Sequence, residues 1–388
     1  MTGTPWNQDA SFPVPDRSSG EVEVAVLGAG PAALAAARTM AAAGARVSLV
    51  APGPWTAGPA TTGPGVALPC LPGHYADLAR VVGREQARSL WALAGAGASS
   101  LRSLLAGEDC ALRRGGVLLL AADEEEHQEM AGSLRMLVED GFSPRMMGPP
   151  AATNYLPVEA EFGALYLGGA ATFDPVRALA RLAGLAEASG VRFVSLGSSC
   201  TWREEGGSLL LEGSSARLRA GTLVLAEGAP REGLEPWLPA LAGLLLATDP
   251  LREGMTDVTV AASANRGREL YQGTPGGGLV GFGLVSGQPG GPSAEDLLEA
   301  GMQARFPETR RAGRTHREPT LHEGSADGLP LVGPLPGHDR VHLLAGFGTS
   351  AWSLGHGAGE ALARRLGGGA GEELVGLEPG RFPVGEAR

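Results

Sequence analysis

Two strand-to-helix junctions in this chain carry residue types suited to holding an anion. Near the start, the short apolar run VAVL enters Gly28-Ala29-Gly30-Pro31-Ala32-Ala33, and an Ala-rich stretch continues to Ala43, stopped by Gly44. A second apolar run, Arg46–Val50, follows, so the pattern is strand, glycine turn, helix, strand. Such a turn presents backbone N–H groups at a positive helix end with no side chains in front, as a dinucleotide's pyrophosphate requires. Gly28 makes the turn, Gly30 admits the phosphate, Pro31 and Ala32 open the helix, and Ala33 is small enough for helix–strand packing. Where an Asp or Glu would accept the ribose hydroxyls stands Ala51, and no Arg is placed to read a 2′-phosphate, so NADP loses support. Near the end, Val341–Ala345 enters Gly346-Phe347-Gly348-Thr349-Ser350-Ala351 ahead of a helix over about 353–366, again aiming N–H groups at one point. The bland alternative for both is an ordinary glycine-rich turn without a ligand.

Other chemistry is excluded by what the sequence lacks. All 31 basic residues are Arg, so no Schiff-base, P-loop or general-base lysine exists. Lys and Ile both have A/T-rich codons, and their joint absence points to a GC-rich, bacterial genome. Cys70, Cys110 and Cys200 are odd in number and far apart, which suits three reduced thiols and neither a disulfide framework nor a metal site. No GxSxG, HExxH or paired-carboxylate signature supports a hydrolase. A net charge of −11 argues against nucleic acid or an anionic membrane as the main partner. No apolar run reaches membrane-spanning length and the first twenty residues lack a signal-peptide pattern, so the expected location is the cytoplasm.

The elements that must position these turns read as an α/β chain of two domains, since 388 residues with 43% apolar content can bury two cores. After a polar tail to Gly20 and the first βαβ unit comes a Gly/Pro/Thr-rich loop over 51–73. Helical period runs over 76–106, GGVLLLAA (115–122) is a strand, and 123–141 is a helix with an acidic first turn. Asp174-Pro175 opens a helix to about Ser189, and TLVLA (222–226) is an apolar strand leading into Glu227-Gly228-Ala229. Strands and turns mix over 235–310 with one short helix at 294–305.

These segments, taken in order, resemble the FAD-dependent amino-acid oxidases and dehydrogenases of the glycine oxidase, sarcosine oxidase and D-amino acid dehydrogenase type. The resemblance runs from about Glu21 to Leu366: the βαβ unit, GALYLGGAATFDPVRAL (163–179), TLVLAEGA (222–229), and ADGLPLVGP (326–334) with LAGFGTSAWSLGHGAGEALA (344–363). It implies a Rossmann-like FAD-binding domain assembled from 21–70, 171–233 and 326–366, and an α+β substrate domain from 71–170 and 234–325. Residues 1–20 and 367–388 are then tails. It implies flavin contacts at Gly28, Gly30, Pro31, Ala32, Ala33, Ala51, Ser199, Ala226, Gly228, Gly346, Gly348, Thr349, Ser350, Ala351 and Trp352. In the family the Gly346–Ala351 turn faces the flavin N1–C2=O edge. The FAD is expected to be non-covalent, because the branch that attaches it uses a Cys in the C-terminal half. With no Lys beside the ring, an electron acceptor other than oxygen is expected.

The family anchors a substrate carboxylate with an Arg five residues before the Asp of its D-G pair. Here that count from Asp327 gives His322, while Arg317 requires a loop about five residues longer. The fork of Arg suits a carboxylate, so Arg317 is the first candidate and His322 the second; a solvated basic loop, or a substrate without a free carboxylate, would also account for the cluster. Tyr271 lies where the family often places a Tyr at the substrate, and Trp352 sits by the ring or simply packs. His74, Tyr75 and His356 are weaker candidates. The expected function is oxidation of the C–N bond of a small amine or amino acid, by hydride transfer to flavin, giving an imine. The alternatives are a tailoring flavoenzyme acting on a peptide- or carrier-bound amine, and a redox-dead, flavin-free relative serving as a binding or partner subunit. Ala51, and Glu227 in a turn meant to approach an anion, motivate the last. A partner protein or homo-oligomer is compatible with all three.

Overall fold

The structure is a computed structural model that describes residues 5–6, 9–51, 58–107, 109–157, 160–197, 200–230, 232–252, 258–262, 269–285 and 293–382. The chain divides into two compact units. Unit 1 comprises Met1–Asn7, Thr62–Pro175 and Leu241–Leu321; unit 2 comprises Gln8–Thr61, Val176–Ala240 and His322–Arg388.

Unit 2 is built on a parallel sheet. Its main strand order is Leu331–Leu335, His338–Ala345, Arg217–Ala226, Gly20–Leu27, Val47–Val50, Arg192–Val194. From His338–Ala345 to Arg192–Val194 every pairing is parallel, and Leu331–Leu335 closes one edge antiparallel. The hairpin Cys200–Glu205 and Ser208–Gly213 pairs with the first half of Arg217–Ala226. These central strands are continuous apolar runs because a parallel sheet is covered on both faces. Accordingly Ala25, Val26, Leu27, Leu223, Val224, Leu225, Leu343 and Leu344 are all buried. The helix Pro31–Ala42 packs against the helix His356–Leu366 through Gly359, where a Cβ would collide with the Ala32 carbonyl.

Of the two stretches expected as tails, residues 5–6 lie in unit 1, where Trp6 is buried and donates to Gly63 O at 3.0 Å, and the other described parts are packed within unit 2. Asp16 pairs with Phe193 and Ser195 through backbone hydrogen bonds of 2.8 Å and binds Arg192 at 2.8 Å. Past the last helix, Leu374 and Leu377 are buried, Leu377 accepts from Val332 N at 2.8 Å, and Arg381 binds Asp327 at 2.6 Å. Both segments carry apolar or paired side chains that a composition reading as Gly/Pro-rich tail conceals.

Unit 1 holds a nine-stranded sheet, ordered Arg314–Glu323, Ala240–Thr248, Leu279–Leu284, Glu269–Gly273, Val258–Ala262, Arg113–Leu120, Ala164–Thr172, Val66–Ala67, with Arg145–Met147 also on Ala164–Thr172. Val258–Ala262 pairs with Arg113–Leu120 in parallel, whereas Ala240–Thr248 with Leu279–Leu284, Leu279–Leu284 with Glu269–Gly273, Glu269–Gly273 with Val258–Ala262, and Ala164–Thr172 with its three neighbours pair antiparallel. The helical stretch read over 76–106 is two helices, Tyr75–Val82 and Arg84–Leu104. Gly83 breaks it with φ +86°, in the left-handed region that favours glycine. Helix Glu124–Glu139 is capped by Asp123, which accepts from Glu126 N at 2.9 Å, and Ala294–Arg305 by a Ser293/Asp296 capping box.

Candidate active site

Three adjacent parallel strands of unit 2 end in glycine turns on the same edge of the sheet. Gly20–Leu27 ends at Gly28-Ala29-Gly30, Arg217–Ala226 at Glu227-Gly228, and His338–Ala345 at Gly346-Phe347-Gly348. Open α/β sheets bind their ligands in this place, outside the carboxyl ends of neighbouring strands where the connections diverge. Gly28 has φ +151°, and a Cβ there would lie 2.9 Å from Ala226 Cβ and 2.8 Å from Glu227 O, so the first two turns touch. They are also stitched together, Ala29 N donating to Glu227 O at 3.2 Å. Gly346 (φ +79°) and Gly348 (φ +54°) adopt backbone that side chains disfavour. After them the chain makes one wide π turn, Ala351–Gly355, before His356–Leu366. Such turns cluster at functional sites.

Two carboxyl groups stand at these turns. Glu227 Oε2 accepts from Ala32 N at 3.1 Å, at the head of the Pro31–Ala42 helix, which has no side-chain cap of its own. Glu227 is half-buried as a residue, but its Oε1 is buried without a hydrogen-bond partner, against Gly355. Glu323 Oε1 accepts from Gly346 N at 3.1 Å. Burial pushes the Glu227 carboxyl up to about 8, and the charge of Glu323 adds to the rise; the Ala32 and Ala33 N–H groups pull the other way. Sequence reading singled out Glu227 but missed Glu323. Parity points the wrong way for it: in the strand Arg314–Glu323 the odd positions Arg317, Pro319 and Leu321 are exposed and Thr320 and His322 are buried, yet Glu323 at the strand end is buried as well.

His322 is 5% exposed. Burial holds its imidazole down to about 4, partly offset by a hydrogen bond donated to the Gly348 backbone, so it is neutral at physiological pH. Glu323, His322, Glu227 and the three turns are therefore brought together within unit 2.

A family model described as FAD dependent oxidoreductase matches residues 23–365. The chain belongs to that family. No curated protein matches it in sequence. Among solved structures, this oxidoreductase is similar to glycine oxidase from Geobacillus kaustophilus, with TM-score 0.76 and 20% identity over 94% of this chain and 100% of that one. It is similar to L-proline dehydrogenase from P. horikoshii, with TM-score 0.77 and 16% identity over 95% and 98% of the two chains. It is also similar to iminodiacetate oxidase from Chelativorans sp. BNC1, with TM-score 0.70 and 20% identity over 92% and 99%. These likenesses establish the glycine oxidase-like fold, an α/β Rossmann-like architecture.

FAD is the cofactor of this family, and the turns can be tested against it. The backbone suits a dinucleotide: Gly28 and Gly30 are side-chain-free at the head of a helix, and Ala33 is buried in helix–strand packing. The donors do not. A Cβ on Gly30 would collide with Glu227 Oε2, so the place beside the second glycine holds this chain's own carboxyl, and Ala32 N is already bonded to it. Gly346 N is likewise bonded to Glu323. Half-buried Ala51 offers no ribose acceptor. In this conformation the residues do not fit the pyrophosphate.

The remaining predicted positions fall as follows. Pro31 and Ala32 are buried, as are Ala226 and Trp352, the latter 4% exposed in the π turn. Gly228 is exposed with φ +82°, Thr349, Ser350 and Ala351 are half-buried, and Ser199 lies outside the described residues. Arg317 is exposed and its Nε donates to Glu295 Oε2 at 2.6 Å. Tyr271 is fully buried in unit 1; its hydroxyl donates to Glu269 Oε2 at 2.6 Å, and its ring stands edge-on to Phe306 at 5.5 Å. Burial raises that phenol's pKa far above the ordinary value. His74 forms a buried pair with Glu126 at 3.2 Å, Tyr75 donates to Asp140 at 2.6 Å, and buried His356 lies 3.5 Å from Glu360. Burial also pushes the Cys70 thiol up to about 12 and Cys200 to about 11, away from thiolate chemistry. Among the described residues no group of metal-ligating side chains is found, and no helix is long and apolar enough to cross a membrane.

Proposed function

We propose that this oxidoreductase acts on CH–NH or CH–NH2 donors, oxidising the C–N bond of a small amine or amino acid to an imine with FAD as the hydride acceptor. The observation that carries the reading is the row of three glycine turns on one edge of the parallel sheet, with neutral His322 bonded to the third. The names of the similar structures (glycine, proline and iminodiacetate enzymes) supply the substrate class. Unit 2 is assigned the cofactor and unit 1 the substrate. Removal of hydride from a neutral amine needs little acid–base machinery, which accords with the few titratable groups at the turns. His322 is the proposed positioning residue, fixing the backbone of Gly348. Arg317 as a carboxylate anchor would have to exchange Glu295 for the substrate. If it does not, a carrier-bound amine becomes the better substrate class. A second reading, a flavin-free binding subunit, is favoured by Glu227 in the pyrophosphate seat.

The visible spectrum of purified protein, with identification of what denaturation releases, tests the reading. Expected are flavin bands, released FAD, and anaerobic bleaching by at least one small amine. Protein that neither carries nor takes up FAD overturns it.

A further inference from the structure

We infer that Glu227 is a built-in competitor for the dinucleotide: its carboxyl occupies the pyrophosphate seat at the head of the Pro31–Ala42 helix, and FAD loads only after that side chain leaves. The inference rests on FAD as the ligand in the reading above, but not on the amine substrate.

Three observations carry it. Glu227 Oε2 accepts the Ala32 amide at 3.1 Å and lies so close beside Gly30 that a Cβ there would collide with it. That is where a second glycine ordinarily leaves room for phosphate oxygen. Second, the helix lacks any cap at Gly30, so a carboxyl 195 residues away in sequence serves as its surrogate. The seat is thus satisfied without a ligand. Third, the fit is incomplete in a way a permanent structural cap would not need: Oε1 is buried against Gly355 with no hydrogen-bond partner, and Glu323 repels the ionised form. An unsatisfied buried acceptor is costly, so the side chain is held by the amides at the helix head and opposed by an unpartnered oxygen and a like charge. Such a group can be displaced by an anion that uses the amides better.

Two opposite effects should therefore follow from one substitution. Glu227→Ala removes both the competitor and the cap. It should bind FAD at least tenfold more tightly than the wild-type chain, read by flavin fluorescence quenching, while its melting temperature without FAD falls. Glu227→Gln, which refills the seat, should stay within about threefold of wild-type FAD affinity. ADP serves as a flavin-free probe of the same seat and should follow the same order in thermal-shift titrations. Wild-type protein that binds FAD tightly, with Glu227→Ala no tighter, overturns the competitor and leaves the flavoenzyme reading standing. If neither protein binds FAD or ADP, both fall. Should Glu227→Ala not fold, the wild-type chain still answers. Its rate of FAD uptake in stopped flow should reach a plateau with rising FAD, because departure of Glu227 comes first. A rate linear in FAD throughout overturns the inference.

Discussion

Glu227 and His322 are buried groups whose protons make stability depend on pH with opposite signs. Unfolding returns Glu227 from about 8 to its ordinary 4.5. Between those values the unfolded chain has lost a proton that the folded one keeps. The stabilisation is therefore complete below pH 4.5, declines as pH rises and is gone above 8, on the order of 5 kcal/mol in all. His322 goes from about 4 in the fold to its ordinary 6.5, so the unfolded chain holds the extra proton. Its stabilisation is present above 6.5 and is lost as pH falls to 4, on the order of 3 kcal/mol. Urea unfolding from pH 4 to 9 checks both: Glu227→Gln should flatten the alkaline decline, and His322→Asn the acid one. On the substrate side, His322→Ala should raise the KM of a responsive amino acid about tenfold by loosening Gly348, equivalent to one lost hydrogen bond. Arg317→Ala, on the solvent face, should leave it within about twofold; a tenfold rise would return the anchor to Arg317. At this scale the sequence exposed Glu227, because a carboxylate within a glycine turn conflicts with the turn's purpose. It could not expose Glu323, since a Glu at a strand end looks the same whether it faces water or an amide.

The strand-turn-helix junctions were legible because glycine spacing, apolar runs and helix length agree there, and each survives in the structure. Details set by packing were not legible. The π turn at Ala351–Gly355 has no compositional mark, and the exposed parity of Arg317 depends on which face of its strand is covered. Helix packing yields a contrast between glycines. At Gly359 a Cβ meets the Ala32 carbonyl and comes within 3.1 Å of Ala36 N, both backbone atoms that cannot swing aside. Gly359→Ala should cost about 1–3 kcal/mol. Gly184, within Pro175–Ala188, has nothing within 4 Å of its missing Cβ, and Gly184→Ala should gain about 0.5–1 kcal/mol. Denaturant midpoints at fixed m-value decide both.

For the whole molecule, the acidic balance of 42 carboxylates over 31 arginines predicts passage through heparin without retention at low salt. Both units are assembled from separated stretches of chain, the division crossing at 7/8, 61/62, 175/176, 240/241 and 321/322. A reading by composition could find the elements but not these exact crossings, which only long-range pairing sets. The same order of strands has a consequence in time. Gly20–Leu27 pairs with Arg217–Ala226, each residue with one about 200 further on, so at about 5–20 residues per second its partner emerges from the ribosome roughly 10–40 s later. Throughout that wait an apolar strand carries an unpaired edge. The arrangement that gathers three turns on one rim thereby leaves the nascent chain dependent on whatever shields that strand until translation has passed Ala226.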